Sequence, residues 1–244
     1  MLTRYPRVYD LLRRPYAAIR FWLRRPHDRD YGVFALFPRR DGVFLDVGAN
    51  SGMSALSFRI YNQTMPVVSI EPNPFHEADL RFARRLAKPL TYRMWAAGRD
   101  DDTMTLHVPV YRGVPLTTEA SLLLEEVTGS ESLRGRLGTR MDTQDFEVVS
   151  CTVPVRPLDL LDLTPAFVKL DVQGFEHEAL LGMQKTLSNS HPVLLIETPD
   201  ERVRHWLADM GYKPFSYLPA ENRLVPETEK RTNTVFALPE DLPS

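Results

Sequence analysis

The seven residues Asp46-Val47-Gly48-Ala49-Asn50-Ser51-Gly52 put a carboxylate and two glycines into one short turn, where main chain can approach a ligand beside a fixed negative charge. The β-rich run Val43–Val47 leads into it and helical spacing over Ser54–Ile60 follows. A strand-to-helix turn of this kind lines the ligand crevice at the carboxyl ends of strands in an open α/β sheet. Dinucleotide loops carry GxGxxG, but position 50 is asparagine, and no Gly-Lys-Ser or Gly-Lys-Thr is present to cradle a triphosphate, so a pyrophosphate ligand is disfavoured. An acidic turn suits a cofactor with a cationic end, such as a sulfonium bearing an ammonium group. Glu71 ends the next β-rich run, 25 positions after Asp46, and is followed by Pro72-Asn73-Pro74. A carboxylate there can accept both hydroxyls of a ribose and would repel the 2′-phosphate of NADP. Its other reading is a cap for the helix near Pro74, for which Asn73 is the better residue.

Asp171 closes the run Phe167–Val172, again at a strand end facing cofactor and acceptor. Three roles are open to it: general base for an acceptor hydroxyl, orienting group, or cap of the helix beginning near Glu176. Lys169 lies two residues earlier and points to the same sheet face by strand alternation. His177, in the first turn of that helix, can titrate near neutrality and is a second candidate base, or else a solvent-exposed helix residue. His107, in TMTLHVP, reads as a strand residue.

These residues need a scaffold of short buried strands alternating with helices. Val43–Val47, Val67–Glu71, Leu90–Ala97, Phe167–Val172 and Val193–Glu197 read as strands of a mostly parallel sheet, and Ser54–Ile60, Pro74–Arg85, Glu176–Leu187 and Glu201–Met210 as its covering helices. Pro214–Leu218 and Asn233–Leu238 suit a closing antiparallel pair at the sheet edge. Tyr111–Ser150, rich in glycine and polar residues, reads as an insertion that forms either a substrate wall or a surface excursion. Residues 1–40 hold ten arginines against three aspartates, while the whole chain carries a net charge of −2. Apolar residues Tyr5, Tyr9, Leu12, Tyr16, Ile19 and Leu23 recur at helical spacing there, and Pro15 divides the pattern into two expected short helices. This basic arm is either docked with its arginines in water or a surface for anionic lipid, nucleic acid or acidic substrate.

The chain has 244 residues, 43% of them hydrophobic, enough for a core and a single domain. It lacks a membrane-length apolar segment and a signal-peptide core, so a cytoplasmic protein is expected. One cysteine and scattered histidines give no metal-ligand spacing, and the balanced charge gives no reason to expect a specific nucleic-acid partner.

DVGANSG, IEPNP, KLDVQGFEHEALLGM (Lys169–Met183) and PVLLIE (Pro192–Glu197) stand in an order that resembles the FkbM-type family of S-adenosylmethionine-dependent methyltransferases, over about residues 41–240. The resemblance implies a class I, Rossmann-like, doubly wound α/β sheet of seven strands, one antiparallel, in a domain spanning 41–244 behind the helical arm 1–40, with the insertion 111–150. It implies S-adenosyl-L-methionine as cofactor and transfer to a hydroxyl of a sugar, glycolipid or natural-product small molecule. Asp46, Gly48, Asn50 and Gly52 would then hold the methionine part and Glu71 the ribose, Asn73 would support the ribose edge, and Ala97 or Trp95 would neighbour the adenine. Gln173 stands where the family more often has Glu, and Pro157 where it more often has Thr. Other classes remain open: a cofactor-binding protein without transfer activity, or a transferase directed to RNA or a membrane surface by the basic arm. A dehydrogenase is disfavoured by the glycine pattern.

Overall fold

Short apolar runs punctuated by Pro and Gly build two sheets in the computed structural model, which describes residues 6–37, 40–117, 120–121, 124, 127 and 145–243. The strands in chain order are β1 (Val43–Val47), β2 (Val67–Ile70), β3 (Leu90–Arg93), β4 (Ala96–Ala97), β5 (Asp102–Tyr111) and β6 (Val114–Pro115), followed by β7 (Phe146–Arg156), β8 (Pro165–Leu170), β9 (Val193–Glu197), β10 (Lys213–Leu218), β11 (Arg223–Pro226) and β12 (Asn233–Ala237). The main sheet runs β11-β10-β12-β9-β8-β1-β2-β3. Strands β1, β2, β3, β8 and β9 are parallel to their neighbours in this set, and β12 runs antiparallel to both β9 and β10. Since β1 leads outward to β2 on one side and pairs β8 on the other, the order reverses at β1/β8, which opens a crevice at their carboxyl ends.

The doubly wound α/β architecture is the expected one, with two differences in detail. The main sheet has eight described strands rather than seven, because β11 returns from β10 as an antiparallel hairpin. β12 lies inside the sheet, between β9 and β10, and β11 forms the edge. The run Leu90–Ala97 also does not make one strand. It breaks at Met94-Trp95, and β4 joins a second sheet ordered β4-β7-β5-β6. There β5 and β7 form a long antiparallel hairpin, in register from Asp102↔Val155 to Tyr111↔Phe146. Of the expected insertion 111–150, residues 146–150 belong to β7 and most of the remainder lies outside the described residues.

Alternation along the central strands divides the core into two layers. Phe44 and Phe167 face one side, where Phe44 stacks on Phe58 at 4.0 Å with Phe34 edge-on to both. Leu45, Val47, Val168 and Leu170 face the other, beneath Leu180, Leu187 and Leu207. The helices on these faces are α1 (Pro6–Trp22), α2 (Met53–Tyr61), α3 (Glu77–Leu86), α4 (Glu176–Leu181), α5 (Gln184–Ser190) and α6 (Glu201–Asp209). The single helix expected over Glu176–Leu187 is divided at Gly182-Met183. At Gly182 the chain passes so close to the second sheet that a Cβ would lie 2.0 Å from the Gly98 carbonyl oxygen.

The arm departs most from expectation. Pro15 sits inside one continuous helix rather than between two. A proline in a helix removes one backbone bond at a cost of about 3 kcal/mol. The adjoining turns are held from outside: Arg13 Nη1 lies 3.0 Å and Arg14 Nε 2.7 Å from the carboxylate of buried Asp79 on α3, and Ala17 and Phe21 pack on the core. Burial alone would raise the Asp79 pKa, but the His76 ring 3.7 Å away, the hydrogen bond from Arg14 and the charge of Arg13 hold it below the ordinary range. Arg13 and Arg14 thus face the protein, while Arg24, Arg25 and Arg29 of the arm stay exposed. No described helix is long and apolar enough to cross a membrane.

Candidate functional site

At the β1/β8 crevice, Asp46 lies under the floor, fully buried. Its Oδ2 accepts hydrogen bonds from Ser54 Oγ (2.7 Å) and Ser69 Oγ (3.0 Å), while its Oδ1 is buried without a partner. Burial pushes its pKa up, opposed by the Lys169 charge and the two hydroxyls. Above it, Gly48, Asn50, Glu71, Asn73, Ala97 and Asp171 line one cavity, so six of the nine expected site residues converge there. Asp46, Gly52 and His177 are not among its lining residues. Gly52 begins α2 at φ 81°, where a Cβ would lie 2.7 Å from the Ala83 Cβ, so its smallness serves the packing of α2 on α3. The ring Nδ1 of His177 lies 3.5 Å from Glu178 Oε1.

The cavity floor is knitted by carboxylates accepting from main chain. Glu71 Oε2 accepts from the Asn50 N–H at 2.7 Å and Oε1 from the Asn73 N–H at 2.8 Å, which ties the tip of β2 to the turn after β1. Burial raises the Glu71 pKa, while the His76 charge and these two bonds lower it. Asn73 caps the following 3-10 turn by accepting from the Phe75 N–H at 3.1 Å, and its buried Nδ2 has no partner. Gly48 has φ 76°, and a Cβ on it would fall 1.7 Å from the Asp171 carbonyl oxygen. Only glycine allows the β1 turn to press against the end of β8.

On the other side of the crevice, Lys169 Nζ donates to the Gly48 carbonyl at 2.7 Å and to Asp171 Oδ2 at 3.1 Å. The register Leu170↔Ile196 sets Asp171 beside Glu197. Burial, followed by the charge of the neighbouring Asp171 carboxylate, raises the Glu197 pKa to about 7. Glu176 accepts from the N–H groups of Val172 and Gly174, both at 3.0 Å, and so fixes the turn after β8. The cap of α4 is Phe175, not Asp171, which removes the capping role from the three open to that aspartate. Leu106, Thr117, Ala120 and Ser121, from β5 and the chain beyond it, supply the facing wall.

A family model of the FkbM methyltransferase domain matches residues 46–214. The chain belongs to the FkbM methyltransferase family. No protein of curated function matches it. Among solved structures, the methyltransferase FkbM from Methylobacillus flagellatus KT has a TM-score of 0.51 and 17% identity over 93% of this chain and 60% of its own. This chain therefore spans about three fifths of that protein's length. A precorrin-6Y C5,15-methyltransferase from Geobacter metallireducens GS-15 scores 0.41 at 15% identity, covering 85% of this chain and 84% of its own. A SAM-dependent methyltransferase from Thermotoga maritima scores 0.35 at 10% identity, covering 96% and 95%. The first of these likenesses is one of fold alone.

Within this FkbM domain, the residue that sequence reasoning passed over is Glu197. Its signal was present, since β1, β2, β8 and β9 each carry an acid at or beside the carboxyl end: Asp46, Glu71, Asp171 and Glu197. Ser54 and Ser69 gave no signal as partners of Asp46. Gln173 has φ 51° and lines the cavity.

Proposed function

We propose that this protein transfers a methyl group from S-adenosyl-L-methionine to a hydroxyl oxygen of a small molecule or saccharide. The observation carrying this reading is the Glu71 carboxylate, opening into the same cavity as Gly48 and Asp171 at the point where strand order reverses. One further group suits that cofactor: Asn73 Nδ2, a buried donor with no partner, beside Glu71 in the cavity lining. Unpaired buried polar atoms are costly unless something completes them.

In this assignment Glu71 accepts the ribose hydroxyls with Asn73 at the ribose edge. Gly48 and Asn50 hold the methionine end over the buried charge of Asp46, and Ala97 lies beside the adenine. When bound, the cofactor supplies an electrophilic methyl group on its sulfonium. Asp171 takes the hydroxyl proton of the acceptor. Lys169 fixes one oxygen of that carboxylate before the acceptor arrives, and such positioning supplies much of the rate effect in methyl transfer. His177, outside the cavity lining, receives no step.

Calorimetric titration with S-adenosylmethionine, S-adenosylhomocysteine and NAD, on the parent and on Glu71→Ala, tests the cofactor. The two sulfur nucleosides should bind the parent, the product more tightly, and fail to bind the variant. Preference for NAD, or no binding, would overturn the reading. Transfer to oxygen is tested with isotope-labelled methyl donor and a panel of hydroxylated acceptors, on parent and Asp171→Asn. Turnover unaffected by that substitution would remove Asp171 as the base.

A further inference from the structure

Helix α1 is amphipathic in reverse. Val8, Leu11, Leu12, Tyr16, Ile19 and Trp22, with Leu23 just beyond, recur every three or four positions, and all are exposed, Leu11 at 75% and Trp22 at 72%. They make up most of the exposed large apolar side chains among the described residues. A soluble helix ordinarily turns such a stripe inward. Here the inner side carries Arg13, Arg14, Ala17 and Phe21, of which the two arginines pair with Asp79. The stripe is therefore left for a partner outside the domain.

The charge around the stripe selects that partner. Arg20 flanks it along the helix, and Arg24 and Arg25 are exposed just past Trp22. Through residue 27 the only acidic residue is Asp10. A second copy laid against the stripe would set arginines against arginines, whereas an anionic surface would meet cations and apolar side chains together. Trp22 and Tyr16 add amphipathic rings of the kind that sit at headgroup level. We infer that α1 docks the protein on an anionic phospholipid bilayer, lying in the interface with its stripe from Leu11 to Trp22 in the acyl boundary and its arginines among the headgroups. This docking stands independently of the reaction proposed above.

The test is cosedimentation of the full chain with vesicles of phosphatidylcholine alone and of phosphatidylcholine mixed with phosphatidylglycerol. The parent and the double variant Leu11→Asp/Ile19→Asp are compared, with Arg25→Glu as a charge probe. Both apolar positions are exposed, so thermal melting of the double variant should match the parent. Binding should require phosphatidylglycerol and weaken with salt. It should fall at least tenfold in the double variant, be reduced in Arg25→Glu, and shift Trp22 emission to the blue in the parent. Three results would overturn the proposal: no sedimentation with anionic vesicles, equal binding to neutral ones, or a dimer in sedimentation velocity that the double variant dissociates.

Discussion

Glu71→Gln separates two duties of one side chain. The carboxylate accepts two short bonds from main-chain N–H groups, 2.7 Å from Asn50 and 2.8 Å from Asn73. A glutamine keeps one oxygen, and its amide then points N–H at N–H. One charge-assisted bond worth about 1.5–3 kcal/mol is lost, the other weakens, and a buried donor is left unpaired at about 1–3 kcal/mol. Against this, the raised pKa shows that burial disfavours the charge, and the neutral side chain escapes that cost. The net expectation is a loss of about 3 kcal/mol, roughly 6–12 °C in melting temperature for a chain of this size. Acceptance of two ribose hydroxyls is lost as well, about 100-fold in affinity for S-adenosylhomocysteine if close to 3 kcal/mol is forfeited. Urea unfolding and calorimetry at low temperature, where the variant stays folded, read the two effects separately. An unfolding free energy within about 0.5 kcal/mol of the parent would refute the knitting of the turn. Unchanged affinity would refute the ribose assignment. In the parent, binding should weaken on acidification at a pH above the ordinary carboxylate range, because the charged form is the acceptor and its pKa is raised; in the variant that dependence should be absent.

Asp46→Asn should behave differently, because its partners are hydroxyls that can reverse donor and acceptor: stability should change by only about 1 kcal/mol in urea titration, while nucleoside affinity falls at least tenfold. Gly182→Ala forces a Cβ to within 2.0 Å of the Gly98 carbonyl oxygen and should cost about 3 kcal/mol, read as a lowered melting temperature with cofactor affinity reduced through the displaced Gly98 turn. Glu197 binds its proton more tightly folded than unfolded, so between about pH 4.5 and its folded value of about 7 the native state holds more protons and stability falls as pH rises; Glu197→Gln should flatten that slope in pH-dependent unfolding.

The parts of the site that could be read from sequence are those carried by one contiguous turn. Asp46 to Gly52 and Glu71 to Pro74 announce themselves because strand end, glycine or proline, and helix start follow within a few residues. Glu197 does not, because its role arises from the register between β8 and β9, which no local pattern contains. The direction of α1 was hidden for a related reason. Helical spacing identifies an apolar stripe but not which side meets the domain, and Asp79, which decides it, lies 65 residues beyond Arg14. The break in Leu90–Ala97 was masked by the apolar end of the run: Trp95, Ala96 and Ala97 are as apolar as a strand continuing straight.

The β5/β7 hairpin is, mechanically, a beam held at both ends. Its root is pinned where Ala96 pairs with Val155, the Gly98 N–H donates to the Arg156 carbonyl at 3.1 Å, and α4/α5 presses Gly182 against Gly98. Ten residues of β5 extend about 34 Å from that clamp. Leu106, which walls the cavity, lies nearly halfway along, and β6 at the far end packs against α1. The far half of β5 is the more buried one, with Val108, Val110 and Tyr111 all covered, so the cavity wall at Leu106 is held from both directions, by the Gly98 turn and by α1.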